Sequence, residues 1–211
     1  PHILSESFAM TGWDMRFNEM QWIAGWQFVN GVNRICQHLQ GYSLAGMRKR
    51  DYPPSLSYQQ SWYGEYHRFN DSLARLGKLL STGHKIVDVL LIHPMHSAWV
   101  SYDGTNNDEL QHLDAQFVRA CELLGGAHID YHLGDETLLA RHGSLNADGT
   151  LQVGKCRYTA VVVPDCLTLD RKTVELLAGF AAAGHPLVKL GRWPQLCAGR
   201  PDATLAALGT R

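Results

Sequence analysis

The residue best placed for chemistry in this chain is Glu6, which stands in Ser5-Glu6-Ser7 directly after the apolar pair Ile3-Leu4. That pattern reads as a short buried strand with polar groups at its C-terminal tip. A carboxylate at such a tip suits glycosidic bond cleavage. The reaction needs one carboxyl group to protonate the leaving oxygen and a second facing the anomeric carbon or the attacking water. The competing reading is a surface or helix-capping glutamate. His38 closes a second short run, Asn33-Arg34-Ile35-Cys36-Gln37-His38. Its imidazole there can hydrogen-bond a sugar hydroxyl or orient Glu6, and the alternative is a buried histidine satisfied by backbone. Gln37 and Gln40 offer amides nearby. Trp13, in the loop after Glu6, and Trp62, at a helix start, present indole faces suited to sugar rings and N–H donors suited to hydroxyls. Trp22 and Trp26, one helical turn apart, read as helix packing instead.

Other constellations fall short. His93-Pro94-Met95-His96 sets two imidazoles three apart beyond a strand, with no carboxylate close by in the sequence. A metal site needs more ligands in fixed geometry, so the expectation is no metal and a loop at a domain interface. Cys166 follows the apolar run Tyr158 to Val163, where a nucleophile can sit. A nucleophile elbow needs small neighbours, whereas Asp165 and Leu167 flank this thiol. Arg48-Lys49-Arg50-Asp51 reads as solvated charge, with a binding loop as the alternative. Neither G-x-G-x-x-G nor a P-loop occurs, so nucleotide binding has no support and no cofactor is expected.

Alternating strands and helices must position these groups. Apolar residues Phe17, Met20, Ile23, Ala24 and Phe28 recur at helical spacing and Gly31 supplies a stop. A loop rich in Gly, Arg, Pro and Ser runs from Gln40 to Gln60. Trp62 to Ser81 then reads as an amphipathic helix with the stripe Tyr66, Phe69, Leu73, Leu76 and Leu80, ended by Gly83. The order is strand, helix, strand, helix, with the chemistry at strand C-terminal ends. That fits the last two units of a (β/α)8 barrel, whose catalytic face lies at those ends. From residue 85 the pattern restarts with a nearly continuous apolar strand, Ile86 to Ile92. The expected series continues with a helix from Asn107 to Leu124, a strand from His128 to Tyr131 and a helix from Asp135 to Arg141. A turn at Asn146–Gly149, a strand at Leu151–Val153, a strand from Tyr158 to Val163, a helix from Arg171 to Ala183 and a strand from Pro186 to Leu190 follow. Such alternation predicts a parallel, doubly wound sheet. The fold class is therefore α/β, with residues 1–84 the C-terminal part of a barrel and 85–211 a flavodoxin-like domain that trails off unfinished.

Composition narrows the function classes. Hydrophobic residues make up 45% and charged residues 18% of the 211, with a formal net charge of -1. That balance gives no electrostatic case for nucleic acid or an anionic membrane surface. No apolar stretch reaches the roughly 18 residues needed to span a bilayer. Five scattered cysteines make neither a disulfide framework nor a zinc motif. The opening Pro1-His2-Ile3-Leu4 reads as the interior of a longer protein, which weakens any inference on location; cytoplasmic is favoured over periplasmic.

Several blocks carry a resemblance. Leu4-Ser5-Glu6-Ser7-Phe8 with Gly12-Trp13 resembles the Ser-Glu-x-Phe segment of glycoside hydrolase family 106 and its α-L-rhamnosidase-like relatives. Phe28 to Arg34 closing on His38 is similar too, as is Gln60-Ser61-Trp62-Tyr63 followed by Leu73 to Leu76, Leu79-Leu80 and Gly83, leading into Val87 to Leu90. Val153-Gly154 with Tyr158 to Pro164 resembles the amidotransferase-like domain behind many such barrels, including those of family 42 β-galactosidases. The resemblance implies a bacterial hydrolase of O-glycosidic bonds acting on rhamnosides or related sugars. Glu6 matches the motif carboxylate, and His38, Trp13, Gln40 and Trp62 would contact substrate. Family 106 resembles inverting enzymes, making Glu6 a base, whereas the family 42 clan is retaining, making it a nucleophile. The partner acid is expected before Pro1, so this stretch alone is expected to be inactive. The remaining partner expectation is self-association through the second domain. The alternative function is a non-catalytic carbohydrate-binding or assembly protein on a hydrolase-like scaffold.

Overall fold

The computed structural model describes residues 2–47 and 54–209, and the chain divides into two compact units, Pro1–Lys85 and Ile86–Arg211. The charged loop Arg48 to Asp51 lies outside the described residues.

In the first unit, strands β1 (Leu4–Ser7) and β2 (Arg34–Gln37) pair in parallel, with Glu6 opposite Cys36 and Ser7 opposite Gln37. Parallel neighbours need a crossover, and helix α1 (Phe17–Val29) supplies it. Met20, Ala24 and Phe28 recur every fourth residue and bury one side of α1. The helix stops where Gly31 takes a φ of 98°. After β2 and its loop, a 3-10 turn (Tyr63–Glu65) leads into helix α2 (Tyr66–Leu80). An aromatic cluster welds the two helices. Phe17 stacks on Phe69 with centroids 5.8 Å apart, and Trp62 lies 5.0 Å from Phe17. Phe8, Met15 and Leu56 complete this core.

Two packing expectations fail here. Leu76 and Leu80 are exposed; the buried position in that turn of α2 is Gly77, where a Cβ would come within 2.7 Å of the Asn33 carbonyl oxygen. Trp22 and Trp26 are 74% and 63% exposed, so they do not pack as helix residues usually do. They lie two positions past Met20 and Ala24, which turns them about 200° away from the buried stripe.

The second unit is built on a four-stranded, all-parallel sheet in the order β10–β8–β3–β4, formed by β3 (Val89–Ile92), β4 (Tyr131–Gly134), β8 (Ala160–Val163) and β10 (Leu187–Lys189). Alternate side chains of the central strands enter two cores. Leu90, Ile92, Val161 and Val163 pack with Leu139 of helix α5 (Glu136–His142), Leu177 and Phe180 of α6 (Arg171–Ala182) and Leu205 of α7 (Ala203–Leu208). Leu91 and Val162 face Ala120 and Leu124 of α4 (Asp108–Gly126). Burial on both faces is why these strands read as continuous apolar runs.

Several expected boundaries move. Pro94 begins a seven-residue helix, α3 (Met95–Ser101), where a loop was expected. The strand expected at His128 to Tyr131 starts at Tyr131, because His128 adopts a φ of 57° and, with Ile129, closes the end of α4 on the carbonyls of Gly125 and Leu124. The run from Tyr158 to Val163 splits. Its start belongs to β7 (Cys156–Tyr158), which pairs antiparallel with β6 (Leu151–Val153), itself paired with β5 (Gly143–Leu145). The tail does not trail off: β11 (Leu196–Cys197) pairs with β9 (Thr168–Leu169) and β12 (Arg200–Pro201) before α7, where Leu205 and Leu208 are buried. The whole is a mixed α/β structure with parallel sheets. Among the described residues no helix is long and apolar enough to cross a membrane.

Candidate active site

Because β1 and β2 run parallel, their C-terminal ends share one edge. Alternation assigns Leu4, Glu6, Arg34 and Cys36 to one face of the pair and Ser5, Ser7, Ile35 and Gln37 to the other. Burial follows that division. The first four are exposed and the second four are partly or fully buried. The helix-facing side is fastened: the Ser7 hydroxyl donates to Gln27 Oε1 on α1 at 2.9 Å, and Gln37 Nε2 donates to Asn70 Oδ1 on α2 at 2.7 Å. Gln37 therefore serves the scaffold rather than a sugar.

Glu6 stands on the open side. Among the described residues its carboxylate has no hydrogen-bond or ion-pair partner. It is not a helix cap: the carboxylate at the start of α1 belongs to Glu19, which accepts the Arg16 N–H at 2.7 Å. The chain turns sharply just past Glu6, with Phe8 at φ 72° and Met10 at φ 55°. A bulky residue in this region costs about 1–3 kcal/mol and such strain gathers at functional sites. Burying the Phe8 ring, which packs 6.0 Å from Phe69, offsets it by about 1.5–3 kcal/mol.

His38 lies at the end of β2, where its N–H donates to the Ser7 carbonyl at 2.7 Å and extends the ladder by one bond. The backbone beyond it is anchored on both sides of Gln40. The Leu39 carbonyl accepts from the Leu56 N–H at 2.9 Å, and the Gly41 N–H donates to Ser55 Oγ at 2.8 Å. Gln40 itself is exposed. Trp13 is half-buried in the loop that follows the strained turn. Trp62 is held in the aromatic cluster between Phe17 and Tyr66, so packing accounts for it. Sequence reasoning missed Cys36, which faces Glu6 in register, and Arg34 beside it on the same exposed face. Strand alternation identifies both once the register is known.

In the second unit the Cys166 thiol is buried, and burial followed by the nearby Glu136 and Asp165 charges pushes it far above its ordinary range. It is an inert core residue. Its neighbour Asp165 is the better-connected group: Arg192 donates to it through N–H at 3.0 Å and Nε at 2.8 Å, and His112 Nε2 lies 3.4 Å away. Burial alone would raise this carboxyl, but the Arg192 and His112 bonds outweigh it and hold it below the ordinary range. The expectation that no carboxylate stands near His96 is overturned. The fold brings Glu136 and Asp170 to it from distant points in the chain, with Asp170 Oδ1 2.7 Å and Glu136 Oε1 3.6 Å from His96 Nδ1.

No protein-family model matches the sequence, and no curated protein matches it either. Among solved structures the chain is similar to a rhamnosidase from Novosphingobium sp. PP1Y, with 18% identity and a TM-score of 0.63. The match covers 99% of this chain and 19% of the rhamnosidase chain, so the sequence spans about a fifth of that protein's length. A β-galactosidase from Bifidobacterium adolescentis matches 60% of this chain and 56% of its own at 16% identity, with a TM-score of 0.41. At these identities the rhamnosidase likeness is one of fold.

Proposed function

We propose that this chain is part of a glycoside hydrolase that cleaves O-glycosidic bonds, with rhamnosides the leading substrate class and Glu6 the carboxylate facing the anomeric carbon. In this reading residues 1–84 end a (β/α)8 barrel. The second unit is a flavodoxin-like domain, a reading supported by its strand order, which in chain sequence runs 2-1-3-4. The observation that carries the proposal is the setting of Glu6: an exposed carboxylate, unpartnered among the described residues, at the C-terminal end of a parallel strand, next to a strained turn and beside the strand tip that bears His38. Likeness of fold to a rhamnosidase over nearly the whole chain supports the same reading.

The chemistry then depends on the partner acid. If that acid stands about 6.5–9.5 Å from Glu6, water fits between and Glu6 takes its proton as it attacks; at about 5–5.5 Å Glu6 attacks the anomeric carbon itself. In either case the partner protonates the leaving oxygen. His38 and Gln40 hydrogen-bond ring hydroxyls, and Trp13 covers an apolar sugar face. The test is turnover of aryl α-L-rhamnosides and aryl β-D-galactosides by the intact protein that carries this chain. The reading predicts release of the aryl alcohol from the rhamnoside. Saturable sugar binding with no hydrolysis of either glycoside would contradict it and favour a carbohydrate-binding scaffold.

A further inference from the structure

Helix α3 delivers His96 to the buried start of α5 and the start of α6. Its placement is fixed by the next residue. The Ser97 hydroxyl, fully buried, accepts from the Leu167 and Thr168 N–H groups at 3.0 and 3.1 Å and donates to the Thr168 carbonyl at 3.0 Å. This clamps α3 against β9, two residues before Asp170. Asp170 occupies the N-cap of α6, yet its side chain does not cap the helix; it turns to His96 instead. Glu136 opens α5 and uses only one oxygen, Oε2, which accepts the Asp170 N–H at 2.6 Å. Its other oxygen, Oε1, is buried with no hydrogen-bond partner among the described residues. The buried Thr173 hydroxyl nearby likewise has no partner in hydrogen-bonding geometry among the described residues.

We propose that His96 Nδ1, Glu136 Oε1 and Asp170 Oδ1 form a binding site for one divalent transition-metal ion of the zinc class. One imidazole and two carboxylates are a donor set that zinc accepts, at about 2.0–2.2 Å per bond. Tetrahedral bonds of that length separate ligand atoms by about 3.4 Å. The three atoms lie within 4.8 Å of one another, and the two distances from Nδ1, 2.7 and 3.6 Å, bracket the required value. A cation here would satisfy the Oε1 left without a hydrogen bond. Glu136 is 2% exposed, and a cation would supply the charge that a carboxylate buried there needs. The Asp170 N–H held by Oε2 supplies the supporting contact that fixes a ligand carboxylate. A depression of ≈ 360 Å³ opens beside the cluster, lined by His96, Trp99, Val100, Thr168, Asp170 and Gly199. This depression would give water or another exchangeable ligand access to an ion held by His96 and Asp170.

The test is a Zn2+ titration of the metal-free protein in competition with a chromophoric chelator, repeated with Co2+ and with Mg2+. The expected result is one equivalent of Zn2+ and a four-coordinate visible spectrum with Co2+. Mg2+ should not compete at equal concentration. His96→Ala and Asp170→Asn, both at partly exposed positions, should each weaken Zn2+ about tenfold or more and abolish the Co2+ spectrum. Equal Zn2+ affinity and stoichiometry in wild type and the double variant would overturn the site, as would absence of binding in the wild type. Should the variants fail to fold, X-ray absorption of the zinc-loaded wild type decides: nitrogen and oxygen ligands with one imidazole support the site, and sulfur ligation overturns it.

Discussion

At the scale of single residues, magnitudes separate groups that hold the structure from groups free to react. Asp165 belongs to the first kind. It is buried against Arg192 and His112, and Arg192 reaches on to Glu109. Removing one partner of a buried ion pair strands the other, at about 3–5 kcal/mol. Arg192 is itself nearly half exposed, so solvent screening reduces this, and Asp165→Asn is expected to destabilise by about 2–3 kcal/mol in a denaturant titration. The pH dependence follows from the lowered folded pKa. Near the ordinary value of 3.8 the unfolded chain takes up the proton before the folded one does. The pair's stabilisation is thus complete above that value and is lost as pH falls through the lower folded pKa. Midpoints measured between pH 5 and 2 should fall more steeply in wild type than in Asp165→Asn, which keeps only the loss due to other lowered carboxylates such as Asp103 and Asp148. If Trp13 covers a sugar face as proposed, Trp13→Ala is expected to raise KM for a rhamnoside about threefold to tenfold, leaving kcat less affected, because a stacked ring contributes about 0.5–1.5 kcal/mol to binding. Unchanged KM would remove Trp13 from the site. The placement of Glu6 and His38 at strand ends, and of Trp13 in the loop after the first, was legible because each follows an apolar run or sits in the loop after one. Cys36 and Arg34 needed strand register, and Glu136 and Asp170 needed tertiary structure, since nothing local links them to His96.

At the scale of elements, helices were easier to read than strands. Helices α1, α4 and α6 fall within two residues of their expected bounds, since a 3.6-residue period over three or more turns is hard to mistake. Strands of three or four residues offer too few repeats. Tyr158 to Val163 is one apolar run in the sequence and two strands in the structure, because Thr159 and Ala160 both bond the Asp88 carbonyl where the chain leaves one sheet for another. Helix α3 escaped because seven residues behind a proline show no clear period. Gly77 in α2 gives a test at this scale. Alanine is the better helix former by about 0.8–1 kcal/mol, but its Cβ would press a backbone oxygen at 2.7 Å, and overpacking costs about 1–3 kcal/mol. The contact wins, and Gly77→Ala is expected to lower the Tm. A raised Tm would mean that α2 and the start of β2 can separate freely.

At the scale of the whole chain, both units follow one logic. Helices cover the buried side of parallel strands, and the C-terminal strand ends are left to present polar groups. In the second unit this rests on residues such as Phe180, fully buried in the larger core; Phe180→Ala is expected to cost about 3–5 kcal/mol. In the first unit it leaves the Glu6 carboxylate on the open face, without a partner among the described residues. The most direct measurement compares kcat for an aryl α-L-rhamnoside between wild type and Glu6→Gln in the intact protein, with Tm recorded for both. Losing the base or nucleophile should lower kcat by about 10²–10⁴-fold at an unchanged Tm. A variant that keeps most of its rate would show that this carboxylate does not face the reacting carbon.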